Sequence, residues 1–294
     1  MKPFEFTGEP LRPEKKPRVS FEPRTRSADA LLKQLKSRAF RERLKQDLRV
    51  LFDTARKQRG VRVDSYRTKD VVEIGKVLLM DNLIRDPLAD LSKQCAEARD
   101  LLKKSLPVEF KEYSSDTPQD MNYQFTVNPD RLSRDRFPLF KFYCTAKSAY
   151  VYQLVVSFVQ NFVKHSAEGV RFKVTDYPYL RGKASDKRFI VYAPIDGVAG
   201  AVAHALKHVN SDCFHPIAHM YGVDVCKGVR ALLVGGKHHE ALNERISAGA
   251  MTAYQDMLRS ESSGEFSENE LFELFYANLK QKLMGLPHFK NAFY

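Results

Sequence analysis

The residue types best suited to chemistry lie between positions 140 and 192. Lys141 and Tyr143 are two apart in the alternating, aromatic-rich stretch LFKFYCT (139–145). In a strand that spacing puts both side chains on one face. Arg171 and Lys173 repeat the arrangement in VRFKVTD (170–176). Arg181 and Lys183 follow in a loop, Arg188 opens a third strand at 188–193, and Arg245 sits on a later helix. Cations on a strand are costly if buried without partners. Several of them on one sheet face therefore point to an anion site. Phosphate is its natural ligand, since arginine binds it bidentately and lysine supplies a point charge. The plainer alternative is the open face of a half-solvated sheet.

Other chemistries find little support. The glycines at 197 and 200 open a helix, but no GxGxxG, P-loop, GxSxG, HExxH or EF-hand pattern is present. His204 and His208 are spaced i,i+4 and share a helix face, with His215, His219, His238 and His239 nearby. Such spacing can ligate a metal, but the partner ligands of a zinc site are missing from the pattern, so ordinary surface histidines are expected. Cys95, Cys144, Cys213 and Cys226 form no CxxC pair and read as reduced thiols. No metal or organic cofactor is called for.

Three strand-like stretches must position the basic residues, and helical periodicity supplies what packs on them. Residues 148–164 place Tyr152, Val155, Val156, Val159, Phe162 and Val163 on one helical face. Further strands are expected at 108–112, 123–127 and 229–235, and helices at 198–209, 238–260 and 267–284. Ser267 with Glu270 has the spacing of a capping box. Upstream, the apolar positions from Leu31 to Ala55 predict one long amphipathic helix over 28–59, capped by Ser27 or Asp29. A second helical stretch spans 68–106, interrupted by Pro87. The expected organisation is a disordered basic leader (1–27), a helical region (28–106) and an α+β domain (107–294). That domain would hold a mixed or antiparallel sheet of about four to six strands with helices packed on one side.

Composition narrows the partners. The chain of 294 residues carries a net charge of +12, of which residues 1–60 contribute +9 and the remainder +3. A basic N-terminal arm and helix suit nucleic acid or an acidic partner, or else form a solvated linker and a salt-laced helix. No apolar run is long enough to span a bilayer, and the charged, proline-rich start has no signal-peptide core.

The stretch KFYCTAKSAYVYQLVVSFVQNFVKHSAEGVRFKVTDYPYLRGKASDKRFIVYAP (141–194) also resembles a known pattern. Phosphothreonine lyase effectors and the lyase domains of some lanthipeptide synthetases carry Lys-Phe-His or Lys-Leu-His on a strand. A helix follows, then a strand with Phe-Lys, arginines and an aliphatic-Tyr strand. Over about 140–260 the sequence is similar to the HopA-type type III effector family, in which an aromatic residue replaces that histidine. The resemblance implies that Lys173 is a general base removing the proton α to a carbonyl, made partly neutral by nearby cations such as Arg171 and Arg188. Lys141 would stabilise the enolate-like charge, and Tyr143 would stand in the general acid's place. Arg171, Arg181, Arg188 and Arg245 would hold the phosphate of a phosphorylated protein or peptide. It further implies delivery into a host cell by a dedicated secretion system without a cleavable signal peptide, with a secretion chaperone at the N-terminal region.

Tyrosine's ordinary pKa of about 10 makes it a weaker proton donor near neutrality than protonated histidine. Three outcomes therefore stay open: an altered phosphothreonine or phosphoserine lyase, a phosphopeptide binder without catalysis, and a scaffold with neither role. The rival from another class is a non-catalytic structural or binding protein whose residues 1–60 contact nucleic acid or an acidic partner.

Overall fold

A computed structural model describes residues 24–57, 85–114, 120–132, 139–177, 182, 184–185, 187–195, 198–216, 221–235, 242–261 and 266–293. The architecture is α+β, with a seven-stranded, wholly antiparallel sheet. The strands are β1 (Val108–Ser114), β2 (Met121–Val127), β3 (Leu139–Cys144), β4 (Val170–Asp176), β5 (Phe189–Pro194), β6 (Val223–Cys226) and β7 (Val229–Val234). They lie in the order β1-β2-β4-β5-β3-β7-β6. The sequence expectation of four to six strands missed β6, whose four residues are too few to show a period. β5 separates β3 from β4, so the two lysine-bearing strands are not direct neighbours.

Period-two alternation gives the sheet two unlike faces. One carries Phe125, Phe172, Val191, Phe142 and Ala231 in a single cross-strand row, with Val174 and Phe189 beside it. These side chains are buried. Helix α4 (Val151–His165) packs on them, with Phe158 set edge-on against Phe172 and Phe189. Helix α3 (Leu91–Lys103) lies beside α4, and α5 (Val198–Lys207) packs on α4 and β5. The opposite face carries the polar and basic residues.

The long N-terminal helix divides in two. Helix α1 (Arg24–Leu35) already begins within the expected leader, and α2 (Arg38–Lys57) starts afresh after Ser37, whose Oγ accepts from the Phe40 amide. A side-chain acceptor at that position supplies an N-cap, which the apolar period alone did not reveal. Helix α1 packs on α5. Helix α2 packs against α6 (Leu242–Glu261) and α7 (Glu268–Leu283). The Ser267–Glu270 capping box forms as expected. A last helix, α8 (Pro287–Phe293), was not foreseen. Its buried His288 donates from Nε2 to the Tyr221 carbonyl at 2.6 Å, and its Nδ1 accepts from the Leu233 amide at 3.2 Å. Leu233 lies on β7 past the end of its pairing with β6, so this imidazole continues the ladder where β6 stops. Burial, first of all, pushes His288 down to about 4 and keeps it neutral.

One contiguous apolar core runs from α1 through the sheet to α8. Among the described residues no helix is long and apolar enough to cross a membrane.

Candidate functional site

The polar face is organised in three cross-strand rows, fixed by register. The first runs Thr126, Arg171, Tyr192, Lys141, Leu232 across β2, β4, β5, β3 and β7. The second runs Gln124, Lys173, Ile190, Tyr143, Arg230. The third begins with Asn122 opposite Thr175 on β4. The Thr175 amide donates to the Arg188 carbonyl at 2.8 Å, which brings Arg188 into that row just ahead of β5. Thr145 follows at the end of β3. Opposed residues in an antiparallel sheet share a face, so Lys141, Tyr143, Arg171, Lys173 and Arg188 all project to one side. With strands about 4.8 Å apart, Lys173 and Tyr143 stand about 10 Å from each other at their Cα atoms, with Ile190 as an apolar floor between them.

The environment suits neutral amines. Lys141 and Lys173 are half-buried. Burial lowers the pKa of Lys141 first, and the charges of Lys173 and Lys187 lower it further. Burial and then Lys187 lower that of Lys173, against an opposing pull from Asp120. Lys173 Nζ lies 3.3 Å from Asn122 Oδ1, which also accepts from Thr175 Oγ1 at 2.9 Å. Lys141 Nζ stands 5.5 Å from the centre of the Tyr192 ring. Burial pushes the Tyr192 phenol well up, with Tyr143, Tyr113 and Tyr177 adding to the shift, so it stays protonated. Among the described residues no carboxylate lies within ion-pair distance of Lys141, Lys173 or Arg171. Arg171 Nε is buried without a hydrogen-bond partner there, as is Asn122 Nδ2.

Two of the four candidate phosphate-holding arginines are placed differently from the strand set. Arg188 is 5% exposed and paired with the carboxylate of Asp86 at 3.1 Å, so its charge is already balanced within the chain. Arg245 is exposed on α6, its guanidinium beside Gly285 in the turn between α7 and α8, helices that pack on α2 and β7. Arg181 and Lys183 fall outside the described residues.

Several site residues escaped the sequence reading. Tyr192 alternates with Ile190 and Arg188, a signal that was there to use. Arg230 was marked by being the one charge in the otherwise apolar strand VRALLV. It faces Tyr143 across the β3–β7 pairing and bonds Asp224 at 2.7 Å. Asp86 gave no local signal.

The histidine cluster takes an unexpected form. His204 Nε2 lies 3.1 Å from Nε2 of His165 at the end of α4, and the His204 ring sits 4.1 Å from that of His208. His208 Nδ1 approaches the His204 carbonyl at 2.9 Å. No group of three or more metal-ligating side chains is arranged to hold an ion among the described residues. His219, His238 and His239 lie outside them. All four cysteines are free thiols.

No protein-family profile matches the sequence, and no curated protein matches it. Solved structures do. An effector protein from Pseudomonas syringae pv. tomato strain DC3000 superposes with a TM-score of 0.54 at 16% identity, over 83% of this chain and 95% of that one. An effector protein from Pseudomonas syringae pv. syringae strain 61 superposes with a TM-score of 0.50 at 13% identity, over 82% and 94%. The chain thus shares its fold with bacterial effector proteins.

Proposed function

We propose that the chain is a bacterial effector that binds a phosphorylated protein or peptide on the polar sheet face and removes its phosphate by β-elimination. The observation that carries this reading is the pair Lys141 and Lys173. They are half-buried, facing no carboxylate at ion-pair distance among the described residues, each with its pKa lowered by burial and by neighbouring cations. A lysine so placed is available as a neutral base.

The chemistry follows from the rows. A phosphothreonine or phosphoserine residue lies over Ile190, with its α-proton toward Lys173. The Lys173 amine takes that proton. The C–H electrons form the Cα=Cβ double bond, the Cβ–O bond breaks, and phosphate leaves with the bonding pair. Lys141 supports the charge that develops on the carbonyl oxygen. Tyr143, across Ile190 from the base, gives its proton to the departing phosphate. Arg171 is the phosphate contact best supported by geometry, because its Nε has no partner in the described structure. The resemblance of residues 140–260 to the HopA-type family motivates this assignment, and delivery into a host cell is part of the same proposal. The shared fold with two effector proteins supports the effector reading at the level of architecture.

Incubation with a doubly phosphorylated kinase-loop peptide tests it. The expected product is lighter by one phosphoric acid, with no water gained, and its formation is strongly reduced with Lys173→Ala. No change of mass under any condition sinks the enzyme; a peptide that binds but stays intact leaves a phosphopeptide binder. The nucleic-acid reading has less support, because four of the seven cations of α2 are engaged with other elements of the chain: Lys45 with Glu273, Arg49 and Arg56 with Glu268, Arg43 with Asp224.

A further inference from the structure

Row three of the polar face ends in a buried group that the proposed reaction does not use. A strap, residues 85–90, crosses this end of the sheet ahead of α3. Of its six residues only Asp86 is buried. Leu88 is 81% exposed and Pro87 is exposed, so apolar burial is not what holds it. Among the described residues the backbone ties it to its surroundings by the bond from the Asp86 amide to the Gly182 carbonyl at 2.6 Å. Ser148 Oγ donates to the Pro87 carbonyl. The main anchor is the Asp86 carboxylate, 2% exposed.

That carboxylate sits in a ring of donors. Arg188 Nη2 reaches Oδ2 at 3.1 Å. The Ser148 amide donates to Oδ1 at 2.9 Å and is 3.2 Å from Oδ2. His215 Nε2 stands 3.3 Å from Oδ1, within ion-pair reach but outside hydrogen-bond alignment. Burial alone would raise the Asp86 pKa; His215, Ser148 and Arg188 together outweigh it and hold the carboxyl below its ordinary range.

The site has more donors than the Asp86 carboxylate satisfies. Arg188 Nε is buried with no hydrogen-bond partner in the described structure, and so is the hydroxyl of Thr145, itself fully buried; His215 Nε2 faces the Asp86 carboxylate without an aligned hydrogen bond. Thr145 and His215 are tied together, since the His215 amide donates to the Thr145 carbonyl at 2.9 Å. Buried polar atoms in folded proteins are rarely left unsatisfied, and those that are ask for a reason. A carboxylate offers two oxygens in a plane. A phosphate monoester offers three on a tetrahedron and up to two charges, which fits the guanidinium, imidazole and amide that meet at Asp86, with Thr145 tied to His215 beside them. Beside the carboxylate a small opening of about 10 Å³, room for little more than a water, is lined by Asp86, Ser148, Asp176, Tyr177 and Arg188, so a phosphate could enter only as the strap lifts.

We propose that Arg188, His215, Thr145 and the Ser148 amide form a binding site for a phosphate monoester, and that Asp86 is its built-in occupant, competing with the external ligand. The strap thus doubles as a plug, released when a phosphate takes the carboxylate's place. This site is separate from the elimination chemistry on rows one and two. The mass assay reads Lys173, whereas binding here reads Arg188, so either can fail alone.

Inorganic phosphate is the probe. Its dissociation constant is measured from thermal midpoints across a concentration series, at ionic strength matched with chloride, for the full chain and for Asp86→Ser. With the competitor removed, the variant is expected to bind phosphate at least about tenfold more tightly than the unmodified chain. At ten times the dissociation constant its midpoint should rise by roughly 3 °C. Adding Arg188→Gln to the variant should abolish the shift. Equal affinity in variant and unmodified chain, or no phosphate-specific shift in the variant, overturns the proposal. If Asp86→Ser does not fold in chloride but does in phosphate, the proposal stands. If it folds in neither, Asp86→Asn takes its place, and absence of a phosphate shift there overturns the proposal.

Discussion

Helix α2 and the polar sheet face are both rich in cations, and they treat them in opposite ways. On α2 the charged heads reach the acids of neighbouring elements: Lys45 meets Glu273, Arg49 and Arg56 meet Glu268, and Arg43 meets Asp224. Their stems and planes lie on aromatic rings, Arg49 over Phe52 and Phe272, Lys45 over Tyr276. The basic side of α2 is largely an internal seam. On the sheet, Lys141, Lys173 and Arg171 are half-buried and face an aromatic ring, an amide oxygen and one another's charge. Net charge alone does not separate the two regions by how their cations are partnered. The N-terminal 60 residues hold most of the excess, yet the cations with chemistry to spare come from strands whose neighbourhood is nearly neutral by composition. What distinguishes a site from a scaffold is the set of partners, not the number of charges.

The comparison can be broken in several places. The largest effect is expected at the base. Lys173→Ala should lower phosphate elimination by about 10²- to 10⁴-fold without loss of fold, whereas Lys45→Ala should leave turnover unchanged. Turnover should also rise with pH through the pKa of Lys173, which lies below the ordinary lysine value, since only the neutral amine accepts the proton. A flat pH profile would remove Lys173 from that role. Next is Arg188, whose partner Asp86 is almost fully buried. Arg188→Gln should cost about 3–5 kcal/mol in urea unfolding, as it strands the Asp86 carboxylate.

His288 gives an effect of similar kind from the apolar side. Its folded pKa, about 4, lies below the unfolded value near 6.5, so its contribution is complete above pH 6.5 and is lost as pH falls toward 4. Its share is about 3 kcal/mol. The stability curves of the unmodified chain and His288→Phe should approach each other below pH 5. Smallest is the α2 seam. Each of Lys45→Ala and Arg56→Ala should cost less than about 1 kcal/mol, because the partners are solvent-exposed. A loss of several kcal/mol there, or salt-dependent binding of nucleic acid abolished by those changes, would overturn the view of α2 as an internal seam.

Much of the fold was legible because its signals are local. The alternation in LFKFYC, VRFKVTD and FIVYAP marks β3, β4 and β5, and the apolar stripe of α4 marks what packs beneath them. The shared face of Lys141 with Tyr143, and of Arg171 with Lys173, follows from spacing. The sheet order was not legible, since it rests on pairings between strands distant in sequence. Nor was Arg188's commitment to Asp86, which comes from 102 positions upstream and carries no periodic mark. The break at Ser37 was hidden by an apolar pattern that continues smoothly across it. The short β6 depends on its hairpin rather than on any period of its own: Gly228 there takes φ +68°, and a Cβ on it would fall 2.2 Å from the His215 carbonyl oxygen. A turn residue at that point thus also sets how closely His215 approaches the sheet.

The His288 contact with β7 has a bearing on how the chain is made. Leu233 and His288 are 55 residues apart. Ribosomes add roughly 5–20 residues each second, so the end of β7 waits about 3–11 s after its synthesis for the imidazole that covers it. For that interval a strand end with open backbone groups is exposed, the kind of edge on which another chain can add. A chaperone acting during translation would find its most useful target there.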